Sequence, residues 1–379
     1  MRFPDDVPTL TDGDVTLRAH RIEDAAAVVE QCVDPVSVRW TTVPPGYTRE
    51  MALEFVGTSV PAKWESEKEL AFAIECTHPD GRRRFGGTLS LIDKGSRRAE
   101  LAFGAHPAIR GRGVMTTAVD LLLDWGFDER RLETVSWLAN EGNLASRRVA
   151  WKTGFTFGGT VRRWLDHRGE YPDAWVAALH RDDPREPTTT WFTSPVIVGE
   201  RVFLRPLRDD DVQRIVEGCA DERTQHWLAF MPAPYVEQHA RDYLARSALA
   251  QAEGTQLQWA AVDPRTDLLL ANVGVPRIHR DRAEIWYWSH PDARGRGVMT
   301  EAVALAVQHL FADVSKGGLG MRRAFLKAAA GNTASQQVAR ANGFTEFGRE
   351  RRAQLVGDGS YADLVLFDLL RDEWEARRW

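Results

Sequence analysis

The heptapeptide Arg110-Gly-Arg-Gly-Val-Met-Thr116 recurs letter for letter as Arg294-Gly-Arg-Gly-Val-Met-Thr300, at an offset of 294 − 110 = 184. The match extends well beyond it. Ala99-Glu100 pairs with Ala283-Glu284, and His106-Pro107 with His290-Pro291. Upstream, Val15-Thr-Leu-Arg18 pairs with Val202-Phe-Leu-Arg205, and Trp40 with Trp227. Downstream, Asn143-Leu-Ala-Ser146 pairs with Asn332-Thr-Ala-Ser335, Gly154-Phe155 with Gly343-Phe344, and Tyr171-Pro-Asp173 with Tyr361-Ala-Asp363. Small insertions such as Lys316–Gly320 account for the drift in offset. Solenoid units run to about 20–50 residues, so this repeat is a duplicated whole domain. The expected division is residues 1–183, a linker at 184–195 opened by two prolines and a polar tract, and residues 196–379.

Composition narrows what such domains do. At 43% hydrophobic and 27% charged, the chain can build substantial cores. Net charge is −5, and neither half carries a basic excess, so a nucleic-acid partner is not expected. Three cysteines, with no CxxC pair and no zinc-like Cys/His spacing, fit a reducing interior and no metal. Residues 1–8 lack the apolar core of a secretory signal, and no apolar run reaches the 18–20 residues that span a bilayer. A cytoplasmic protein with no membrane partner is expected.

Each copy reads in the same order. In the first, Val15–Arg18 is a strand and Asp24–Cys32 a helix. Leu70–Glu75, Phe85–Ile92 and Arg98–Ala105 are strands. Gly113–Phe127 has an apolar stripe of helical period, and Val135–Leu138 is a strand. Asn143 is placed to cap the next helix and Gly154 to end it. A hairpin runs from Val161–Leu165 to Trp175–Leu179. The predicted class is α/β, a mixed and mostly antiparallel sheet flanked by helices in each copy.

A strand, then Arg-Gly-Arg-Gly, then a long helix makes an anion site. The first N–H groups of a helix have no intrahelical partner, and its dipole adds about half a positive charge there. Gly111 and Gly113 let backbone approach a phosphate closely, while Arg110 and Arg112 can add charge-assisted contacts. The loop suits a pyrophosphate, yet lacks the G-x-G-x-x-G of a dinucleotide site and the Lys-Ser/Thr of a P-loop.

Strand, His-Pro, Arg-Gly-Arg-Gly-Val-Met-Thr, helix, then Asn-x-x-Ser and a helix ending in Gly-Phe resembles the GNAT superfamily of acyl-CoA-dependent N-acyltransferases. The nearest group is that related to ribosomal-protein N-terminal acetyltransferases, and the resemblance covers both halves. In the superfamily pattern Arg/Gln-x-x-Gly-x-Gly/Ala, Arg110 and Gly113 match the first and fourth positions, as do Arg294 and Gly297. Met115 and Met299 depart at the sixth.

The resemblance implies acetyl-CoA, or another short acyl-CoA, as donor. Arg110, Gly111, Arg112, Gly113, Val114, Met115 and Thr116 would hold the pyrophosphate, and Ala105 and His106 would also bind the cofactor. Their counterparts are Ser289, His290, Arg294, Gly295, Arg296, Gly297, Val298, Met299 and Thr300. It also implies two splayed parallel strands, Arg98–Ala105 with Val135–Leu138 and Arg282–Ser289 with Ala324–Lys327. Between them would lie the pantetheine arm, lined by Asn143 and Asn332.

Acyl transfer to an amine must remove a proton from an ammonium with a pKa near 10.4 and supply one to a departing thiolate. Glu100 and Glu284 are candidate bases or attractors of a cationic amine, or else solvated strand-end carboxylates. Ser146 and Ser335 are candidate proton donors, or else bond locally in the first helical turn. His106 and His290 are near-neutral proton carriers or turn residues. The strand before the loop is Leu101-Ala-Phe-Gly104 in one copy and Ile285-Trp-Tyr-Trp288 in the other. Trp286 and Trp288 therefore stand where Ala102 and Gly104 do, so either one acceptor pocket is more open or the aromatics pack one domain on the other. Acceptor walls are expected from Arg39–Trp64 and Gln225–Asp242.

The expected activity is N-acyl transfer to a primary amine of a small molecule such as an amine-bearing antibiotic or metabolite. N-terminal acetylation of a protein, or one copy that is catalytically silent, are the alternatives. The two domains are expected to pack as a pseudo-dimer.

Overall fold

The computed structural model describes residues 7–377. The chain divides into two compact units between Thr188 and Thr189. Each is built from the same series of elements.

In the first unit the strands are β1 (Leu10–Asp12), β2 (Val15–Arg18), β3 (Glu69–Thr77), β4 (Arg83–Asp93), β5 (Arg98–Ala105), β6 (Thr134–Asn140), β7 (Thr156–Val161) and β8 (Ala174–His180). The helices are α1 (Ala25–Val33), α2 (Pro35–Trp40), α3 (Arg49–Glu54), α4 (Val60–Glu65), α5 (Val114–Asp128) and α6 (Leu144–Lys152); a π-helical stretch, Phe55–Ser59, joins α3 to α4. One sheet runs β1-β2-β3-β4-β5-β6-β8-β7, and only its β5–β6 pairing is parallel. The run Leu70-Ala-Phe-Ala-Ile74 is buried on both faces, because helices cover the sheet on either side. Phe72 packs edge-to-face on Trp125 of α5. Ala73 points the other way, into a cluster with Val28, Cys32, Ala52 and Val56 from α1, α3 and the π-helical stretch.

The second unit repeats this with β9 (Ile197–Val198), β10 (Phe203–Arg205), α7 (Val212–Ala220), α8 (Glu222–Trp227), α9 (Glu237–Ala252), β11 (Leu257–Val262) and β12 (Leu269–Val275). It continues through β13 (Arg282–Glu284), β14 (Trp286–Ser289), α10 (Val298–Phe311), β15 (Arg323–Ala329), α11 (Thr333–Ala341), β16 (Thr345–Leu355), β17 (Tyr361–Leu370) and α12 (Arg371–Ala376). The expected strand Arg282–Ser289 is broken at Ile285. The sheet accordingly divides into β14-β12-β11-β10-β9 and β13-β15-β17-β16.

A second difference concerns the last hairpin. Its first strand is Thr156–Val161, earlier than Val161–Leu165: pairing with β8 runs across a bulge at Phe157/Gly159 and ends at Val161, just before the left-handed Arg163 (φ 51°). Residues 192–195, read as linker, are packed: the buried Ser194 hydroxyl donates to the Gln258 carbonyl at 2.6 Å, and the Trp259 indole to the Pro195 carbonyl at 3.0 Å.

The same buried ion pair anchors the first helix of each unit. Arg18 grips Asp24 through two bonds of 2.8 and 2.9 Å, and Arg205 grips Asp211 through two of 2.8 Å. All four side chains are nearly solvent-free, so loss of either partner would strand a buried charge. This fixes α1 and α7, and with them the helices that follow.

Among the described residues no helix is long and apolar enough to cross a membrane. The three cysteines are buried and unpaired.

The buried His20 bonds the Thr88 hydroxyl at 3.0 Å through Nε2, while its Nδ1 has no partner. Burial pushes its pKa down to about 4. Unfolded, it takes a proton below about 6.5. The associated stability is therefore present above pH 6.5 and lost as pH falls toward 4, by about 3 kcal/mol in all. Urea midpoints for His20→Asn should lose this part of the acid-side slope. An unchanged slope between pH 6.5 and 4 would contradict the assignment.

Candidate active site

The loop before α5 is set by its glycines. Gly111 has φ 73° and Gly113 φ 81°, and Gly113 is the N-cap of α5. Side chains rarely adopt this conformation, and a Cβ at either position would project into open space. Thr117 is the first N–H to find the carbonyl one turn back, that of Gly113 at 3.2 Å. The N–H groups of Val114, Met115 and Thr116 are thus left for an outside acceptor, at the positive end of a 15-residue helix. Gly295 (φ 70°), Gly297 (φ 74°) and Glu301 repeat the arrangement ahead of α10. A cradle of open backbone donors fits a phosphate group.

The arginines do different work from that expected. Arg110 points inward, donating to Asp34 Oδ2 at 2.7 Å, Ser37 Oγ at 2.9 Å and the Ala105 carbonyl at 3.2 Å. Asp34 is the N-cap of α2, and the Arg110 guanidinium helps hold its carboxyl below the usual range against burial. Arg294 makes the same link to Asp221 and, at 2.9 Å, to the Thr224 hydroxyl at the start of α8. Arg112 donates to the Thr77 carbonyl and Arg296 to that of Asp292. The loop arginines therefore bind the loop to its surroundings, and the backbone faces the cleft.

His106 and His290 are buried beside the loop and cap the short turn after them. Nδ1 accepts from the Ala108 N–H in one and from the Asp292 N–H in the other, both at 3.2 Å. Nε2 faces Glu30 at 3.1 Å and Glu217 at 3.3 Å, and burial lowers the pKa of His290. Neither lines a cleft.

In the first unit β5 and β6 pair from Arg98↔Thr134 to Leu101↔Trp137 and then part. The gap opens into a cleft of about 680 Å³. It is lined along one side by Glu100–Ala105 and along the other by Trp137–Asn140, with Arg110, Gly111, Gly113, Met115 and Thr116 at one end. Asn143 and Ser146 also line it, as do Arg148 and Lys152 of α6. Asn143 accepts from the Ser146 N–H at 3.2 Å, which commits its carbonyl oxygen to the helix cap. The Ser146 hydroxyl accepts from the Trp137 indole at 3.0 Å. An indole N–H is donor only, so the serine proton is left to donate elsewhere. Glu100 carries an ammonium partner already, Lys94 Nζ at 2.8 Å.

Sequence reasoning missed the far wall. Asp166 and His167, in the β7–β8 turn, line the cleft, as do Trp40, Thr41 and Thr42. Arg168 ties the two walls, donating to the carbonyls of Val38, Thr41 and Val43 at 2.5–3.0 Å. A polar turn just ahead of Tyr171-Pro-Asp173 was the available signal. Of the segment Arg39–Trp64, only its first residues reach the cleft; the rest folds into α3, the π-helical stretch and α4.

The second unit keeps the loop end and alters the other. Its cleft holds about 540 Å³. Ser289, Arg294, Gly295, Gly297, Val298, Met299, Thr300, Asn332 and Ser335 line it; Glu284 and β15 do not. The Tyr287 hydroxyl lies 2.9 Å from Ser335 Oγ and 3.1 Å from its carbonyl, and burial pushes the phenol up to about 12. Trp286 and Trp288 pack within their own unit, in the cluster with Val212, Ile215, Cys219 and Tyr243. Gly218 is needed there, since a Cβ would come within 2.3 Å of the Trp288 ring.

The family model for the acetyltransferase (GNAT) domain matches residues 14–156 and again 201–345. A Bacillus subtilis protein named Putative ribosomal N-acetyltransferase YdaF is 27% identical over 186 residues, 48% of this chain and 97% of its own length. Another from the same organism, Probable N-acetyltransferase YjcK, is 31% identical over 34% of this chain and 71% of its own. A solved structure of RimL, a ribosomal L7/L12 alpha-N-protein acetyltransferase in complex with coenzyme A, is 21% identical and covers 47% of this chain and 99% of its own, with a TM-score of 0.42.

Proposed function

Because the chain belongs to the acetyltransferase (GNAT) domain family through both of its halves, we propose that it moves an acetyl or other short acyl group from coenzyme A to a primary amine of a small molecule, such as an amine-bearing antibiotic or metabolite. The observation that carries this is one cleft in the first unit. It joins Met115 and Thr116, at the open start of α5, to two carboxylates, Glu100 and Asp166. Bound there, the cofactor supplies an activated acyl thioester.

The chain's own residues do the rest. Gly111 and Gly113–Thr116 hold the pyrophosphate on backbone N–H groups. Asn143 offers its amide nitrogen to the pantetheine arm. Glu100 and Asp166 draw in a cationic amine and take its first proton, with Lys94 marking where an ammonium pairs with Glu100. As the nitrogen bonds the acyl carbon, the carbon–sulfur bond breaks and the amine's second proton passes to solvent. Ser146, its oxygen already satisfied by Trp137, donates a proton to the sulfur and recovers one from solvent. The balance is ammonium plus thioester giving amide, thiol and one proton.

The Arg168 bridge between the walls favours a compact acceptor. The ribosomal N-acetyltransferase name that YdaF carries favours the second reading, acetylation of a protein N-terminus. An acetyl-CoA assay of thiol release separates them, run over aminoglycosides, polyamines, simple arylalkylamines and peptides with free N-termini. Turnover with a small amine at least ten times that with any peptide is expected. Preference for a peptide would establish the second reading, and no thiol release with any acceptor would overturn both.

A further inference from the structure

The two clefts share a loop and differ in the charged and polar groups an acceptor amine would meet. Resting on the donor reading above, we propose that the C-terminal copy holds an acyl-CoA thioester without transferring its acyl group, and that turnover belongs to the N-terminal copy.

The donor half of the second cleft is intact. Gly295 and Gly297 keep their left-handed backbone, Arg294 keeps its inward link, and the first N–H groups of α10 stay open. Asn332 caps α11 by accepting from the Ser335 N–H at 3.2 Å, as Asn143 does for α6. Arg223 adds a cation to the lining where the first unit has Val36. These are the groups a pyrophosphate needs.

The acceptor half is gone, by three separate changes. The first is chemical. Among the described residues no Asp or Glu lines the second cleft, against Glu100 and Asp166 in the first. An ammonium entering it meets no carboxylate to draw it in or deprotonate it. The second is steric. Beyond Ile285, whose N–H donates to the Phe325 carbonyl at 2.8 Å, the strands part as they do in the first unit. Here, however, the Tyr287 hydroxyl crosses to Ser335 and occupies the serine that would serve the thiolate. No residue of β15 is reached by the cleft, whereas Trp137–Asn140 line the first. The third is at the far wall. The turn equivalent to that bearing Asp166 carries Val356, buried, and Gly357, whose N–H donates to the His226 carbonyl at 2.8 Å. A Cβ on Gly357 would come within 2.7 Å of the His226 Cα, and Gln354 pins the Trp227 carbonyl at 2.6 Å. Trp286 and Trp288 stand where the first unit has Ala102 and Gly104, and Trp288 lines the second cleft, whereas the Gln31 side chain packs beside Gly104 in the first.

The test uses the full chain loaded with acetyl-CoA, counted by native mass spectrometry, then mixed in a quenched-flow instrument with the amine that turned over fastest in the acceptor panel. Two acetyl-CoA molecules per chain are expected to bind. One thiol per chain should appear in the first phase, with the second thioester surviving at least 100-fold longer. The Glu100→Gln/Asp166→Asn double variant should still load two and lose the fast phase. Gly113→Val should load one and lose the fast phase as well.

Two thiols released at similar rates would overturn the proposal, as would binding of a single acetyl-CoA by the unaltered chain. A fast phase that Gly297→Val removes and Gly113→Val does not would overturn it too, by assigning turnover to the other copy. In those cases the acyltransferase reading stands. It falls, and this proposal with it, only if the chain neither binds acetyl-CoA nor releases thiol.

Discussion

Replacing Glu100 by Gln and Asp166 by Asn together is expected to lower kcat/KM for the amine by about 10²–10⁴-fold, the range for loss of general base catalysis. The two carboxylates line one cleft, one on the strand before the loop and one in the turn after β7. Either alone can attract an ammonium, so the single variants should lose less than the pair and be non-additive. The pH profile separates attraction from proton removal. If the pair acts as base, raising pH restores the double variant, since more amine is then already neutral. A double variant whose deficit is the same at pH 7 and pH 9.5 would show that the carboxylates only bind. Steady-state rates with the best acceptor at both pH values settle the matter.

The second large effect is on the donor. Gly113→Val should raise the KM for acetyl-CoA by about 100-fold or more. A left-handed backbone costs an L residue about 1–2 kcal/mol, and more for a β-branched one, while the helix start must hold its N–H groups outward. Chain neighbours and its own helix's nearby backbone aside, no described atom lies within 4 Å of the added Cβ, so beyond the backbone cost the side chain falls in the space a phosphate would occupy. Gly81 is the control: its φ is 80°, its Cβ would likewise meet nothing, and it sits on a turn outside the cleft. Gly81→Val should cost similar stability and leave the KM within two-fold. If both variants shift KM alike, the loop effect is general strain and the cradle assignment fails.

The sequence made the donor end readable because its constraints are local. A left-handed glycine, an Asn three residues before the N–H it caps and an apolar stripe of helical period are each visible within a few letters. The acceptor end was not readable, because it is assembled from segments far apart in the chain. Asp166 matters because Arg168 ties its turn to carbonyls about 125–130 residues away, and nothing near Asp166 announces that. Arg110 illustrates the opposite failure. Its place in the motif pointed to a phosphate, yet Asp34, 76 residues earlier, claims it. The strand Arg282–Ser289 looked as continuous as Arg98–Ala105. It is divided at Ile285, where pairing passes from one partner strand to the other.

That inward arginine has an entropic consequence. A guanidinium shared among a carboxylate, a hydroxyl and a carbonyl cannot swing away without costing Asp34 its ion-pair partner. The loop it anchors therefore has few other conformations to visit. A ligand that settles on its N–H groups meets a shape already set, so the ordering penalty that weakens many phosphate loops falls on folding and leaves association largely free of it.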